Sequence, residues 1–221
     1  MNAESSDKQL RAVLATVNDW HEVFAKSAAF ARLSDSHQRK SGAITEFFAK
    51  HAYEYLDLSP NEWDCDAVEE CCTEILPRKV SAEVSFFEAI SPVLSAFFSF
   101  LEDQSLLRNG RALAEAVEDL DDEIVTNAED RGNWGPAKHF VMAARNAGVD
   151  IQDPDALRAF VLQFNLQRFA RSNFARATRS SGSHSYAPGS EQAKFRPPAD
   201  RYDPCACGSG KKYKFCCEQK R

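Results

Sequence analysis

The residues of this chain best suited to chemistry are four cysteines near its carboxyl end. They stand in the run Pro204 to Cys217, Pro-Cys-Ala-Cys-Gly-Ser-Gly-Lys-Lys-Tyr-Lys-Phe-Cys-Cys. Cys205 and Cys207 form a C-x-C pair, eight residues intervene, and Cys216 and Cys217 are adjacent. Zinc takes thiolate ligands tetrahedrally, and a structural site uses four protein ligands with no position left open. A segment this short cannot bury enough apolar surface to fold alone, so a bound metal would supply its folding free energy. Gly208 and Gly210 permit the tight backbone of a knuckle. Four thiolates around one dication leave a net charge of about −2, and Lys211, Lys212 and Lys214 are placed to offset it. The competing readings are a pair of disulfides or four idle thiols. Adjacent cysteines bridge each other poorly, and seven cysteines without an export signal point to a reducing compartment. One Zn²⁺ per chain is the expectation.

The same residues resemble the SEC-C zinc motif, the family of short tails best known from the carboxyl end of the SecA translocation ATPase. The resemblance runs over about residues 201–217. Asp203-Pro204-Cys205 and then Cys207-Gly208-Ser209-Gly210-Lys211-Lys212-Tyr213-Lys214 carry it. Tyr202 and Ala206 stand where the translocase tail usually has Asn and Pro. The resemblance implies that Cys205, Cys207, Cys216 and Cys217 hold one zinc, and that the tip docks on other proteins, as that tail does on the SecB chaperone and near the ribosome. Lys211, Lys212, Tyr213, Lys214 and Phe215 would then be the contact residues.

What must carry this tip is a larger body. The chain has 221 residues, 43% hydrophobic with 16 Phe, enough for a sizeable core. Charge is uneven: residues 1–170 hold 16 Lys/Arg against 29 Asp/Glu, a net of −13, and residues 171–221 hold 11 against 4, a net of +7. A basic tail on an acidic body suits an acidic partner, or a tail folded back on its own body. No stretch of about 18 uninterrupted apolar residues is present, so no membrane span is expected. With no secretory start between Met1 and Asp7, the expected location is cytoplasmic.

Apolar residues recur at helical intervals through the body and never alternate at period two, which predicts an all-α bundle of roughly seven helices. Leu10, Val13, Leu14, Val17 and Phe24 mark the first stripe; Ile44, Phe47, Phe48 and Tyr55 mark the second. Ser59-Pro60-Asn61-Glu62 has the pattern of a helix start, with Val68, Cys71, Cys72 and Ile75 following, and Leu76-Pro77 predicts its end. Cys65 and Cys72 lie about 10 Å apart along such a helix, too far for one ion, so Cys71 and Cys72 read as small buried hydrophobes. After Ser91-Pro92, a kink or a fresh start, Leu94, Phe97, Phe98 and Leu101 predict the central helix. Leu113, Ala116, Val117, Leu120 and Ile124 predict one helix with a solvated acidic outer face. Gly148 stops a helix in which Lys138 and His139, off the apolar stripe, are expected to face solvent. Asp153-Pro154 starts the last helix, on Leu157, Phe160, Val161 and Phe164.

The expected organisation is a helical domain over residues 1–170, a basic, flexible linker over 171–200 and the zinc motif over 201–221. Residues 180–200 are rich in Ser, Gly and Pro, a tether of about 25 Å typical span. Catalytic motifs are missing. His21-Glu22 begins a zinc-protease pattern, but Ala25 takes the place of its second His, and no phosphate-binding or nucleophile-elbow glycine motif occurs. The chain therefore reads as a non-enzymatic adaptor docking on an acidic protein partner, a chaperone or the ribosome. The alternative is a nucleic-acid binder that pairs Arg168, Arg171, Arg176 and Arg179, interleaved with Phe169 and Phe174, with the knuckle.

Overall fold

A computed structural model describes the backbone of residues 3–179 and the side chains of 6–166, together with Tyr202, Cys205, Cys207, Lys212, Tyr213, Cys216 and Cys217. The described residues are all-α, with no strand among them. Contacts divide the chain into two compact units, residues 1–139 and residues 140–221.

In the first unit, α1 (Ala3–Phe24) buries Val13, Val17 and Phe24. A short α2 (Ala28–Ala31) follows, capped by the Ser27 hydroxyl on Phe30 N at 3.1 Å. The Ser34 hydroxyl accepts from His37 N at 3.2 Å and starts α3 (Asp35–His51), which lays Ile44, Phe48 and Ala49 into the core. A π turn over Ala52–Leu56 ends α3, and Asp57 then takes a left-handed conformation with φ 64°.

Ser59-Pro60-Asn61-Glu62 forms one 3₁₀ turn over Pro60–Glu62, not the start of the next helix. Trp63 interrupts in extended conformation to fill a slot between Phe48 and Phe98, at ring distances of 5.0 and 6.0 Å. The helix restarts at α4 (Cys65–Glu69), where the Asp64 carboxylate accepts from Ala67 N at 2.8 Å. It does not stop at Pro77. A π segment over Glu70–Ile75 leads into α5 (Leu76–Lys79). Pro77 has no N–H to give the carbonyl four residues back, and that carbonyl, Thr73 O, accepts from Asn127 Nδ2 at 3.0 Å instead.

The turn after α6 (Val84–Phe87) leads into α7 (Ile90–Asp103) with Pro92 in its first turn, so this proline begins a helix where its missing donor costs nothing. Val93, Leu94, Phe97, Phe98, Phe100 and Leu101 are all buried, and α7 packs against α1, α2, α3, α6, α8 (Gly110–Glu118) and α9 (Asp121–Glu129). By length and mean composition Val84–Asp103 is apolar enough to cross a membrane, although Ser85, Glu88, Ser91 and Pro92 interrupt its apolar run. Most of that stretch is buried in this unit.

The single helix expected from Leu113 to Ile124 is two. Leu120 N turns back to Val117 O at 3.2 Å, and α9 opens with Asp121, Asp122 and Glu123 in its first turn, where carboxylates complement the helix dipole. These three, with Glu115, Glu118 and Asp119, are exposed as the acidic face predicted.

The second unit takes most of α10 (Pro136–Asn146) and all of α11 (Pro154–Arg179). Gly148, with φ 69°, ends α10, and Val149 N reaches back to Ala144 O at 3.0 Å. Phe140 meets Phe160 and Phe164 at 5.5 and 5.3 Å. The helix α11 runs through residues 171–179, the basic start of the expected linker. The rest of the linker lies outside the described residues.

Candidate metal centre

The four tail cysteines come together. Their Sγ atoms all lie within 4.8 Å of one another. Cys207 and Cys216 sulfurs are 3.3 Å apart, and those of Cys216 and Cys217 are 4.0 Å apart. A disulfide would need about 2.0 Å, so these are four free thiols. Four sulfurs at about 2.3 Å from a tetrahedral zinc stand roughly 3.8 Å from each other. The observed separations bracket that value, and the donor set could hold a metal ion.

Local structure explains the convergence. Cys216 N donates to Tyr213 O at 3.1 Å, a turn that carries Cys216 and Cys217 round together. Cys205, Tyr213 and Cys216 are buried against one another, and Cys217 packs on them half-buried. Cys207 is exposed. Tyr213, expected among the docking residues, is only 7% exposed and belongs to the interior of the tip. Its ring is a large apolar body against Cys205 and Cys216 in so small a core, so packing claims it. Lys212 is half-buried, while Lys211, Lys214 and Phe215 lie outside the described residues, as do Gly208 and Gly210. Crowding has an electrostatic consequence. Contacts to Cys205 first, then Cys207, push the Cys217 thiol up to about 12, because a thiolate there faces three other sulfurs that stabilise it poorly without a cation.

Among the described residues this is the one cluster with such geometry. Cys65 is exposed, with its thiol 3.7 Å from Ala112 O. Cys71 and Cys72 are fully buried in the π segment, and burial pushes both thiols up. They are inert packing, as their helical spacing predicted.

Two histidines, His21 and His51, are held by packing and hydrogen bonds. The Ser41 hydroxyl donates to Gln38 O at 2.8 Å, so it accepts from His21 Nε2–H at 2.8 Å, which sets the His21 tautomer. His51 donates from Nδ1 to Phe47 O at 2.7 Å and stacks on Tyr55 at 5.5 Å. Burial, above all, lowers its pKa to about 4, with Lys50 and Lys79 adding to the fall and the Phe47 bond opposing it. His51 is therefore neutral in the folded chain at pH 7. Below about pH 6.5 the unfolded chain binds a proton that the folded chain refuses until about pH 4. Stability present above that window is lost as pH falls through it, by about 2–3 kcal/mol in total. Urea midpoints across the window check this, and His51→Gln flattens the slope. His21, also lowered by burial, leaves a smaller slope of the same sign.

Sequence reasoning missed Lys138. It was expected to face solvent, but it is 1% exposed. Its Nζ donates to Pro77 O at 2.6 Å and Ala128 O at 3.4 Å, and sits 4.6 Å from the centre of Phe87 and 5.1 Å from that of Trp134. Carbonyls near the ends of α5 and α9 carry the negative ends of their dipoles, and two ring faces complete a cage for a cation. Burial lowers its pKa to about 8. The backbone bond from Gly135 N to Arg78 O at 2.9 Å brings the lysine there, a long-range pairing that no local pattern announces. His139 is exposed as expected. Lys138→Ala strips Pro77 O of its donor and leaves a cavity, a loss of about 2 kcal/mol by chemical denaturation.

No protein-family model, no curated protein and no solved structure matches this chain.

Proposed function

We propose that the chain is a zinc-binding, non-enzymatic cytoplasmic adaptor of the SEC-C type. Its four tail cysteines hold one Zn²⁺, and the metal gives the tip the fixed shape with which it docks on a protein partner. The observation that carries the reading is the convergence of four free thiols within 4.8 Å. All-sulfur donors select Zn²⁺ over hard cations such as Mg²⁺. A closed four-cysteine site has no open position for an activated water, which fits a structural role.

The partner is one with an acidic surface, a chaperone or the ribosome, met by Lys211, Lys212, Lys214 and Phe215 in a tail that carries a net +7 over residues 171–221. The test uses the full chain with purified ribosomes and an acidic cytosolic chaperone as baits. Lys211→Glu, Lys212→Glu and Lys214→Glu together abolish capture and leave zinc at one per chain. Unchanged capture overturns the docking role. Binding of bare nucleic acid that falls steeply with salt, set by counterion release, would move the reading to the basic end of α11.

A further inference from the structure

The four sulfurs of the tip differ in access. Cys205 and Cys216 are buried and Cys217 is half-buried, whereas Cys207 is exposed. The exposed sulfur lies 3.3 Å from that of Cys216, and a bond between them needs only about 1.3 Å of further approach. The two residues are nine positions apart in the chain, so a bridge closes a roomy loop, one that includes Gly208 and Gly210. Cys216 and Cys217 are neighbours, and Cys205 and Cys207 are separated by one residue; bridges there close small rings that strain the bond. Bound zinc keeps all four sulfurs deprotonated, and the thiolate is the form that peroxides oxidise.

We propose that the zinc site of the tip is a redox switch, opened by hydrogen peroxide through a Cys207–Cys216 disulfide. The inference rests on the four-sulfur zinc reading and adds its regulation. The Cys207 thiolate attacks one peroxide oxygen, the O–O bond breaks, and Cys207 becomes a sulfenic acid as hydroxide leaves. The Cys216 thiolate then attacks the Cys207 sulfur, the S–S bond forms, and a second hydroxide departs. The two sulfurs have lost two electrons, peroxide has taken them, and the hydroxides pick up protons to give water. Cys205 and Cys217 are left as thiolates, too few for a closed tetrahedral site, so the ion is released. The new loop contains Lys211, Lys212 and Lys214, so the segment assigned to docking is held by a different staple. A dithiol reductant returns both electrons, breaks the bridge and restores the site. Elsewhere Cys71 and Cys72 are fully buried, and Cys65 is exposed but outside the cluster.

The reduced, zinc-loaded full chain tests the switch, with a chromogenic zinc indicator and peptide mapping after alkylation. Peroxide is expected to take bound zinc from one per chain to none. The thiol count falls by two, from seven to five, with one Cys207–Cys216 bridge for each ion released. Dithiothreitol and added zinc reverse both changes. Cys65→Ser removes the exposed thiol of the first unit and leaves the rate of release unchanged. A reduced chain that never holds zinc overturns the metal reading and this inference with it. A chain that holds one zinc and keeps it in peroxide overturns the switch alone. So does release that depends on Cys65, or that comes with a sulfinic acid or any bridge other than Cys207–Cys216.

Discussion

Serine at both Cys205 and Cys216 takes bound zinc from one per chain to none. Two thiolates remain, and water completes the sphere, so the closed tetrahedral site is gone. Metal binding by such knuckles is also their folding energy, on the order of 10 kcal/mol in small zinc modules, and nothing in a core of Cys205, Tyr213, Cys216 and Cys217 replaces it. Tyr213 should therefore move from its 7% exposure into water, readable in its fluorescence on adding chelator to the native chain. Helicity of residues 3–139 should persist, because the tail belongs to the second unit. Acid gives the same result without mutation, since protons compete with the metal for thiolates and zinc is released as pH falls. A double-serine chain that keeps stoichiometric zinc by elemental analysis would sink the four-sulfur site.

Signals confined to a few neighbouring residues were legible. Four cysteines within thirteen positions, the stripe of Leu94, Phe97, Phe98 and Leu101, and Gly148 after the last turn of α10 each determine their own local outcome. The features that escaped depend on residues far away in the chain. Pro77 reads as a helix end because its missing donor strands Thr73 O, and only Asn127, from α9, removes that penalty. Lys138 reads as solvent-facing because its cage comes from Pro77, Phe87 and Ala128, on three other elements. Tyr213 sits between lysines in the sequence and reads as surface, yet its ring packs with Cys205 and Cys216 in a tiny core. Between Leu113 and Ile124 the apolar period continues unbroken, so a split at Leu120 has no hydrophobic signature; Asp121, Asp122 and Glu123 were its mark, as the acid-rich first turn of a new helix.

A single methyl group at Gly110 is expected to unsettle the first unit more than any charge change on its surface. Gly110 opens α8 directly against α7. A Cβ built there would lie 2.2 Å from Phe98 O and 2.9 Å from Glu102 Cβ. The first of these is backbone in mid-helix, which cannot swing aside as a long side chain does, so α8 must retreat. Retreat separates Leu113, Ala114 and Val117 from the face of α7 that holds Phe98 and Leu101, all buried now. Interiors are packed near crystal density, and displaced contacts are lost within a fraction of an ångström. It also pulls at the anchors on either side: Asn109 Nδ2 donates to Trp63 O at 2.8 Å, and Arg111 N donates to Glu102 Oε2 at 2.8 Å. Overpacking commonly costs 1–3 kcal/mol, and with a helix pair forced apart the expected loss for Gly110→Ala is on the order of 3–5 kcal/mol. Ala is the better helix former by up to about 1 kcal/mol, so propensity alone predicts the opposite sign. A stabilised Gly110→Ala chain in urea unfolding would mean that α7 and α8 do not meet this closely, and the packing of the whole first unit would have to be redrawn.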